Sequence, residues 1–331
     1  MKGNNRLSLL VLVSLLVAWY LPRTVAGGEE KPANTNPMVA TVFLPLTARS
    51  PLDKILASGY RRLDPWSVDI LVVNPDGSGL VNLTEYVSQK PYAHFYGQPA
   101  WSPDGALITM GEYAKPDSYI ALMNADGSGI YRLGYYPRSQ SPSWSPAGDA
   151  IIFAADPEYW DGGAEETDIY LIRLDGSEPV TNLTNTPEHS ERSPAWSPDG
   201  TRIAFTAGGD IHVMNADGTA PTDITTTAAD EAGPSWSPDS QRIAFARNLG
   251  TYDNPIWQLF VTNADGSEQT QLTFQDAENP MSLGEPDWSP DGRQIIFASD
   301  GHLYTVNQDG TSLQRITDDD TEYYFSSPDW R

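Results

Sequence analysis

The sequence contains no cysteine. That excludes disulfides, thiol nucleophiles, thiolate metal sites and a lipid on an N-terminal cysteine. Histidine is scarce: His94, His189, His212 and His302 are the whole supply. No Gly-x-Ser-x-Gly occurs, so the sharp strand-to-helix turn that presents a hydrolase serine is missing. Basic residues are few, 20 Lys and Arg against 44 Asp and Glu, for a formal net charge of −24. Polyanions are poor partners for such a chain, which disfavours nucleic acid and anionic membrane surfaces. The charge suits a soluble protein, and it would suit a cationic partner or a divalent metal. Long apolar runs are lacking except at residues 7–21, shorter than the roughly 20 residues a membrane span needs.

That run has Lys2 and Arg6 before it and ends in Thr24-Val25-Ala26. A basic start, an apolar middle and a small-residue end describe a secretory leader. Residues 1–26 are therefore expected to be removed, which strips three basic residues and no acid and places the protein in the periplasm or outside the cell. Residues 27–49 begin as a polar, Pro-containing tether, and residues 50–331 make up the folded domain.

Tryptophan (10), tyrosine (16), glycine (27) and proline (27) are plentiful. Many aromatics separated by turn residues favour an all-β chain. They fall into a repeat. Pro-x-Trp-Ser-Pro occurs around Trp101, Trp144, Trp196, Trp236 and Trp288, and Pro328-Asp329-Trp330 is a sixth, shortened copy. An isoleucine stands seven residues after each of the first five tryptophans, opening an apolar run such as Ile203-Ala204-Phe205. Asp-Gly recurs at Asp76, Asp126, Asp175, Asp217, Asp265 and Asp309, each six residues after an aliphatic and followed by a Leu or Ile that usually precedes Thr. Ser-Pro-Asp-Gly and Asn-Ala-Asp-Gly-Ser are turns by chemistry: proline presets φ, aspartate bonds its own backbone, and glycine accepts positive φ.

Four short apolar runs per 40 to 52 residues is the period of a propeller blade. The fold expected is all-β, a six-bladed β-propeller of four-stranded antiparallel blades. The tryptophans are expected to pack between blades, since packing repeats and ligand chemistry seldom does. Blade 1 lacks its own first strand: residues 53–58 match a second strand. The last stretch, residues 323–330, matches a first strand with nothing after it, so the C-terminal strand is expected to complete blade 1. Residues 42–49, ahead of a degenerate Ser-Pro-Leu-Asp turn, are the alternative.

The run Pro-x-Trp-Ser-Pro-Asp-Gly-x-x-Ile-Ala-Phe, followed by Asn-Ala-Asp-Gly-Ser and Leu-Thr, resembles the WD-related repeat of the TolB-like β-propellers. Residues 193–225 are the nearest copy, and the resemblance spans about residues 54–330. It implies a six-bladed ring and, from TolB itself, a protein-binding role in the cell envelope. TolB proteins carry a sizeable α/β domain before the propeller. The stretch between the expected cleavage site and blade 1 is too short for one, so the expectation is a TolB-like propeller and not TolB itself. Similar repeats occur in oligogalacturonate lyases and in the propeller domains of some serine peptidases. The resemblance fixes fold far better than function.

In a four-stranded blade the Ser-Pro-Asp-Gly and Asn-x-Asp-Gly turns share one face, uniform around the ring. Second-to-third-strand loops and blade connections share the other, and they vary. Binding sites gather on variable loops held by a rigid frame, so partner binding is expected there, through Tyr159 and Trp160 of the long blade 3 loop. The residues before each inner strand would ring the channel mouth on that face: Tyr96, Gln98, Arg138, Gln140, His189, Glu191, Arg192, Asp230, Glu231, Glu285, Tyr323 and Tyr324. The mixed polar and aromatic set suits a peptide, a loop of a partner or a sugar. No catalytic residue is singled out and no cofactor is indicated. Calcium lacks a motif, since Asp318-Asp319-Asp320 does not have EF-hand spacing. A site of histidine and carboxylates would have to come from a grouping such as His189, Glu191 and Glu231. The reading is a monomeric protein-interaction propeller of the envelope with a protein or peptide partner. The alternative is a carbohydrate-binding or carbohydrate-active propeller.

Overall fold

The computed structural model describes residues 53–62, 64–85, 95–114, 117–156, 166–186, 189–274 and 283–331. The expected leader and tether, with residues 42–49, lie outside these, as do His94, Tyr159 and Trp160. The described residues form 24 strands arranged as six blades of four antiparallel strands. The inner strands end in the repeated tryptophans: Phe95–Trp101, Gln140–Trp144, Glu191–Trp196, Glu231–Trp236, Asp287–Trp288 and Tyr323–Trp330.

The last of these belongs to blade 1. Tyr323–Trp330 runs antiparallel to Ile55–Arg61, with Ile55 opposite Trp330 and Tyr60 opposite Tyr324. The backbones of Lys54 and Arg331 exchange hydrogen bonds at the end of the pair. The last strand of the described residues thus sits beside the first.

Blades hold together through six apolar clusters, one at each blade-to-blade contact. Each contains one of the six tryptophans. Trp288 packs with Ala244, Leu259 and Phe297 between blades 5 and 6. Trp330 packs with Leu71, Ile296 and Leu303 between blades 6 and 1. A flat, wide side chain fills the wedge between two twisted sheets, and each fully buried aliphatic or phenyl group adds about 1.5–3 kcal/mol. The phenylalanines two residues after the repeated isoleucine stack on third-strand rings: Phe153 on Tyr170, Phe205 on His212, Phe245 on Phe260 and Phe297 on Tyr304.

The turn markers act as their chemistry requires. Asp104 Oδ1 accepts from Ser102 Oγ at 2.7 Å and from the Ala106 N–H at 3.0 Å, closing the Ser-Pro-Asp-Gly turn. Asp76 Oδ1 accepts from the Ser78 N–H and hydroxyl in the second turn. There Gly77 has φ +81°, and a Cβ would lie 1.7 Å from the Ile316 carbonyl of blade 6, so only glycine allows the blades to approach. The threonine of each Leu-Thr is a staple. Thr84, Thr184, Thr225, Thr273 and Thr317 each accept from the backbone N–H of the third-strand aliphatic, at 2.9–3.0 Å.

Candidate functional site

The inner strands surround a cavity of about 650 Å³ on the propeller axis. Its wall repeats six times, running from three residues before each tryptophan to the proline two residues after it, except in blade 1, where it runs to Arg331, directly after the tryptophan. Each inner strand from blade 1 to blade 5 carries a bulge here. The residue before the proline takes positive φ in those five blades: Ser327 (45°), Gln98 (53°), Ser141 (49°), Ser193 (49°) and Gly233 (63°). An extra residue in one strand breaks the two-residue alternation, and a bulge re-aims side chains.

The equivalent residue in blade 6 is Glu285, which reaches across the ring. Ser193 Oγ, from blade 4, donates to Glu285 Oε1 at 2.6 Å. Ser327 of blade 1 and Gln98 of blade 2 also donate to this carboxylate. Gln98 in turn accepts from the Ser141 N–H at 2.8 Å. Glu285 displaces whatever would stand opposite: a Cβ on Gly233 would lie 2.8 Å from its Cγ. Enclosure by protein raises the Glu285 carboxyl above its ordinary range. Its charge, after burial, raises the Tyr113 hydroxyl nearby.

The residue directly before each tryptophan determines how neighbouring inner strands join. Where it is alanine, its carbonyl accepts from the next indole: Trp144 Nε1 to Ala100 O at 3.2 Å, Trp236 Nε1 to Ala195 O at 3.1 Å. Ser143, Asp287 and Asp329 instead take the next tryptophan's backbone N–H on the side chain, from Trp196 at 3.2 Å, Trp330 at 2.7 Å and Trp101 at 2.9 Å. Asp287 Oδ1 also accepts from Ser235 Oγ at 2.6 Å. The indole N–H groups of Trp101, Trp196 and Trp288 have no acceptor among the described residues.

Asp287 and Asp329 touch cavity space, yet protein encloses both. Burial raises each carboxyl above its normal range, and the charge of Asp287 pushes Asp329 further. Arg331 is the only cation among the lining residues. Its guanidinium donates to the Ser102 carbonyl, and burial holds its pKa below normal. One wall of the cavity is therefore acidic, from blades 6 and 1. The facing wall presents the hydroxyls and amide of Ser141, Ser143, Ser193 and Gln98.

The family model described as the TolB beta propeller domain matches residues 158–283. TolB from Acinetobacter baumannii superposes with a TM-score of 0.68, covering 84% of this chain and 66% of that one at 18% identity. The chain is a TolB-like β-propeller. An oligogalacturonate lyase from Vibrio parahaemolyticus shares the fold at a TM-score of 0.51 and 13% identity, covering 77% of this chain and 72% of that one. Among curated proteins, the uncharacterized peptidase YuxL of Bacillus subtilis (strain 168) is 27% identical over 210 residues, 61% of this chain. The TolB-like propeller spans only 29% of that relative's length.

The rim expected from sequence divides in this TolB-like propeller. Gln98 and Glu285 line the axial cavity. His189, Arg192, Asp230 and Tyr324 are exposed, and the Arg62 guanidinium lies 4.8 Å over the Tyr324 ring. Arg138 and Gln140 are half-buried. Tyr96, Glu191, Glu231 and Tyr323 are not rim residues: all are at most 4% exposed. Tyr96 lies in the cluster between blades 1 and 2, and the Tyr323 hydroxyl accepts from Asn82 Nδ2 at 2.9 Å. Glu191 accepts from Thr184 and Thr186, and Glu231 from Thr225, Thr227 and Arg247. These carboxylates tie each inner strand to the outer strand of the preceding blade. Burial pushes Glu191 up to about 7, with Asp168 beside it as a further cause.

His189, Glu191 and Glu231 do not assemble, and no group of three or more metal-ligating side chains forms among the described residues. His212 stacks on Phe205, and His302 hydrogen-bonds to Thr317. Asp319 is taken by Arg315 Nη1 at 2.7 Å. The cavity lies on the Ser-Pro-turn side of the Glu285 ring, toward the face that the repeat makes uniform. The repeat hid Asp287 and Asp329, which occupy the position written as x in Pro-x-Trp.

Proposed function

We propose that this TolB-like propeller is a protein-binding module of the cell envelope, and that the axial cavity receives part of the partner. The observation that carries this reading is the asymmetry of the cavity wall. The repeat needs only a carbonyl or a hydroxyl before each tryptophan, as Ala100 and Ser143 show. Blades 6 and 1 place half-buried carboxylates there, at a cost in desolvation. Departures from a repeat on a rigid ring that cost stability mark function. A volume of 650 Å³ falls within the roughly 300–1,000 Å³ usual for ligand pockets. The leader-like residues 1–26 support export, and no helix of the described residues is long and apolar enough to cross a membrane.

The test is a pull-down from envelope extract with the mature protein and with a D287S/D329S variant. A partner held by the first and lost by the folded second supports the reading. A partner held equally by both removes the cavity from it. The carbohydrate-active reading draws on the fold shared with the oligogalacturonate lyase. It predicts that oligogalacturonate yields an unsaturated, ultraviolet-absorbing product with the purified protein, and a flat absorbance trace dismisses it.

A further inference from the structure

We infer that the cavity's occupant is a peptide segment of the partner that inserts a lysine or arginine side chain against Asp287 and Asp329. This rests on the reading of the cavity as a partner-binding site, and it names the chemistry that the site selects.

Six blades give six versions of one position, so the fold supplies its own control. The residue before the tryptophan is Ala100, Ser143, Ala195, Ser235, Asp287 and Asp329. Ser143 shows that a hydroxyl satisfies the next tryptophan's N–H. The two aspartates take that N–H with one oxygen and add a carboxylate where a hydroxyl suffices, Asp287 also accepting from the Ser235 hydroxyl on its other oxygen. They stand in adjacent blades, with Glu285 on the same side of the cavity, and Arg331 is the only lining cation. The wall thus carries more acid than its one lining cation offsets, and a peptide answers it with a cationic side chain.

The alternatives fit less well. Calcium takes six to eight oxygens, and both oxygens of Asp287 already accept from protein donors. An ammonium needs only two or three acceptors, and a guanidinium pairs with carboxylates side by side. The Ser141 and Ser143 hydroxyls of the facing wall suit a peptide backbone. Burial and mutual repulsion favour the protonated form of the Asp287–Asp329 pair. An entering cation favours the ionised form, so binding releases protons and weakens as pH falls.

The experiment selects from a random decapeptide library on the immobilised full chain and, in parallel, on D287S/D329S, at about 0.15 M salt to screen the general acidity of the surface. Wild type is expected to enrich Lys- and Arg-containing peptides about tenfold over the variant, equivalent to about 1.4 kcal/mol. The variant keeps nearly all of the chain's acidity, so enrichment through net charge alone would persist in it and would overturn the inference. Should D287S/D329S melt early, D329N takes its place, since an amide oxygen still accepts from the Trp101 N–H. Peptides selected without basic side chains overturn the inference and leave the protein-binding reading standing. Selection of nothing overturns it too, and the pull-down then judges the reading alone. Binding of an enriched peptide is expected to weaken from pH 8 to pH 5, and a flat profile counts against the carboxylate pair.

Discussion

The Trp330 backbone N–H donates to Asp287 Oδ2 at 2.7 Å, joining the inner strand of blade 1 to that of blade 6. The Trp330 indole donates to Asp53 at 2.9 Å, and its ring fills the cluster between the same blades. One residue near the end of the sequence thus ties together the first and last blades.

Deleting residues 323–331 removes the inner strand of blade 1 and exposes the edge of Ile55–Arg61. The whole propeller is expected to lose stability, since a blade contributes to two interfaces. Trp330→Ala alone is expected to cost about 3–5 kcal/mol. Thermal and urea unfolding of both variants measure this. An unchanged melting temperature in the truncation contradicts the role assigned to this strand.

Gly233→Ala places a methyl group at positive φ and 2.8 Å from Glu285 Cγ. The expected loss is about 1–3 kcal/mol, with Glu285 displaced from Ser193. Ser193→Ala, which removes only the hydroxyl, should cost less, about 1 kcal/mol. Chemical denaturation of the two variants gives the ranking.

Glu191 and Glu231 occupy equivalent positions with different neighbours. Arg247 stands opposite Glu231, with Nε 2.7 Å from its carboxylate, whereas Ala207 stands opposite Glu191. Glu191 keeps its proton up to about pH 7 when folded, against about 4.3 for an unfolded glutamate. Between these values the folded chain holds the extra proton, so this site's contribution to stability falls as pH rises through the window. The slope is at most about 1.4 kcal/mol per pH unit. Glu191→Gln should abolish that part of the pH dependence of melting. An unchanged profile would mean that Glu191 ionises normally.

Arg247→Met should be costly, about 3 kcal/mol or more, because it strands the Glu231 carboxylate in the interior. The double variant Arg247→Met, Glu231→Gln should recover much of the loss. Melting of the two proteins decides it, and full additivity would show that the pair does not interact.

Much of the fold was legible because packing repeats. The tryptophans and Asp-Gly turns of all six blades, with the isoleucines seven residues on and the Leu-Thr or Ile-Thr threonines in five blades each, carry out the work their chemistry suggests. The site was less legible for two physical reasons. Tyr96, Glu191 and Glu231 sit at the polar-looking starts of inner strands, but threonines from the preceding outer strand turn the two glutamates inward. The signal was present as Thr184-x-Thr186 before Glu191 and Thr225-x-Thr227 before Glu231. Glu285 was among the expected channel residues, but Asp287 and Asp329 were overlooked because a repeat motif draws attention to what stays constant. The informative positions were the ones that changed, from Ala and Ser to Asp287 and Asp329, and from Ser and Gly to Glu285.

The most direct test is the affinity of the captured partner for three forms of the protein, measured by calorimetry: wild type, D287S/D329S, and a triple variant of the opposite face, His189→Ala, Arg192→Ala and Tyr324→Ala. Binding through the axial cavity predicts that D287S/D329S loses at least about 1.4 kcal/mol, a tenfold change, while the triple variant binds as wild type does. Loss in the triple variant with full affinity in D287S/D329S would contradict the account and return the site to the variable loops.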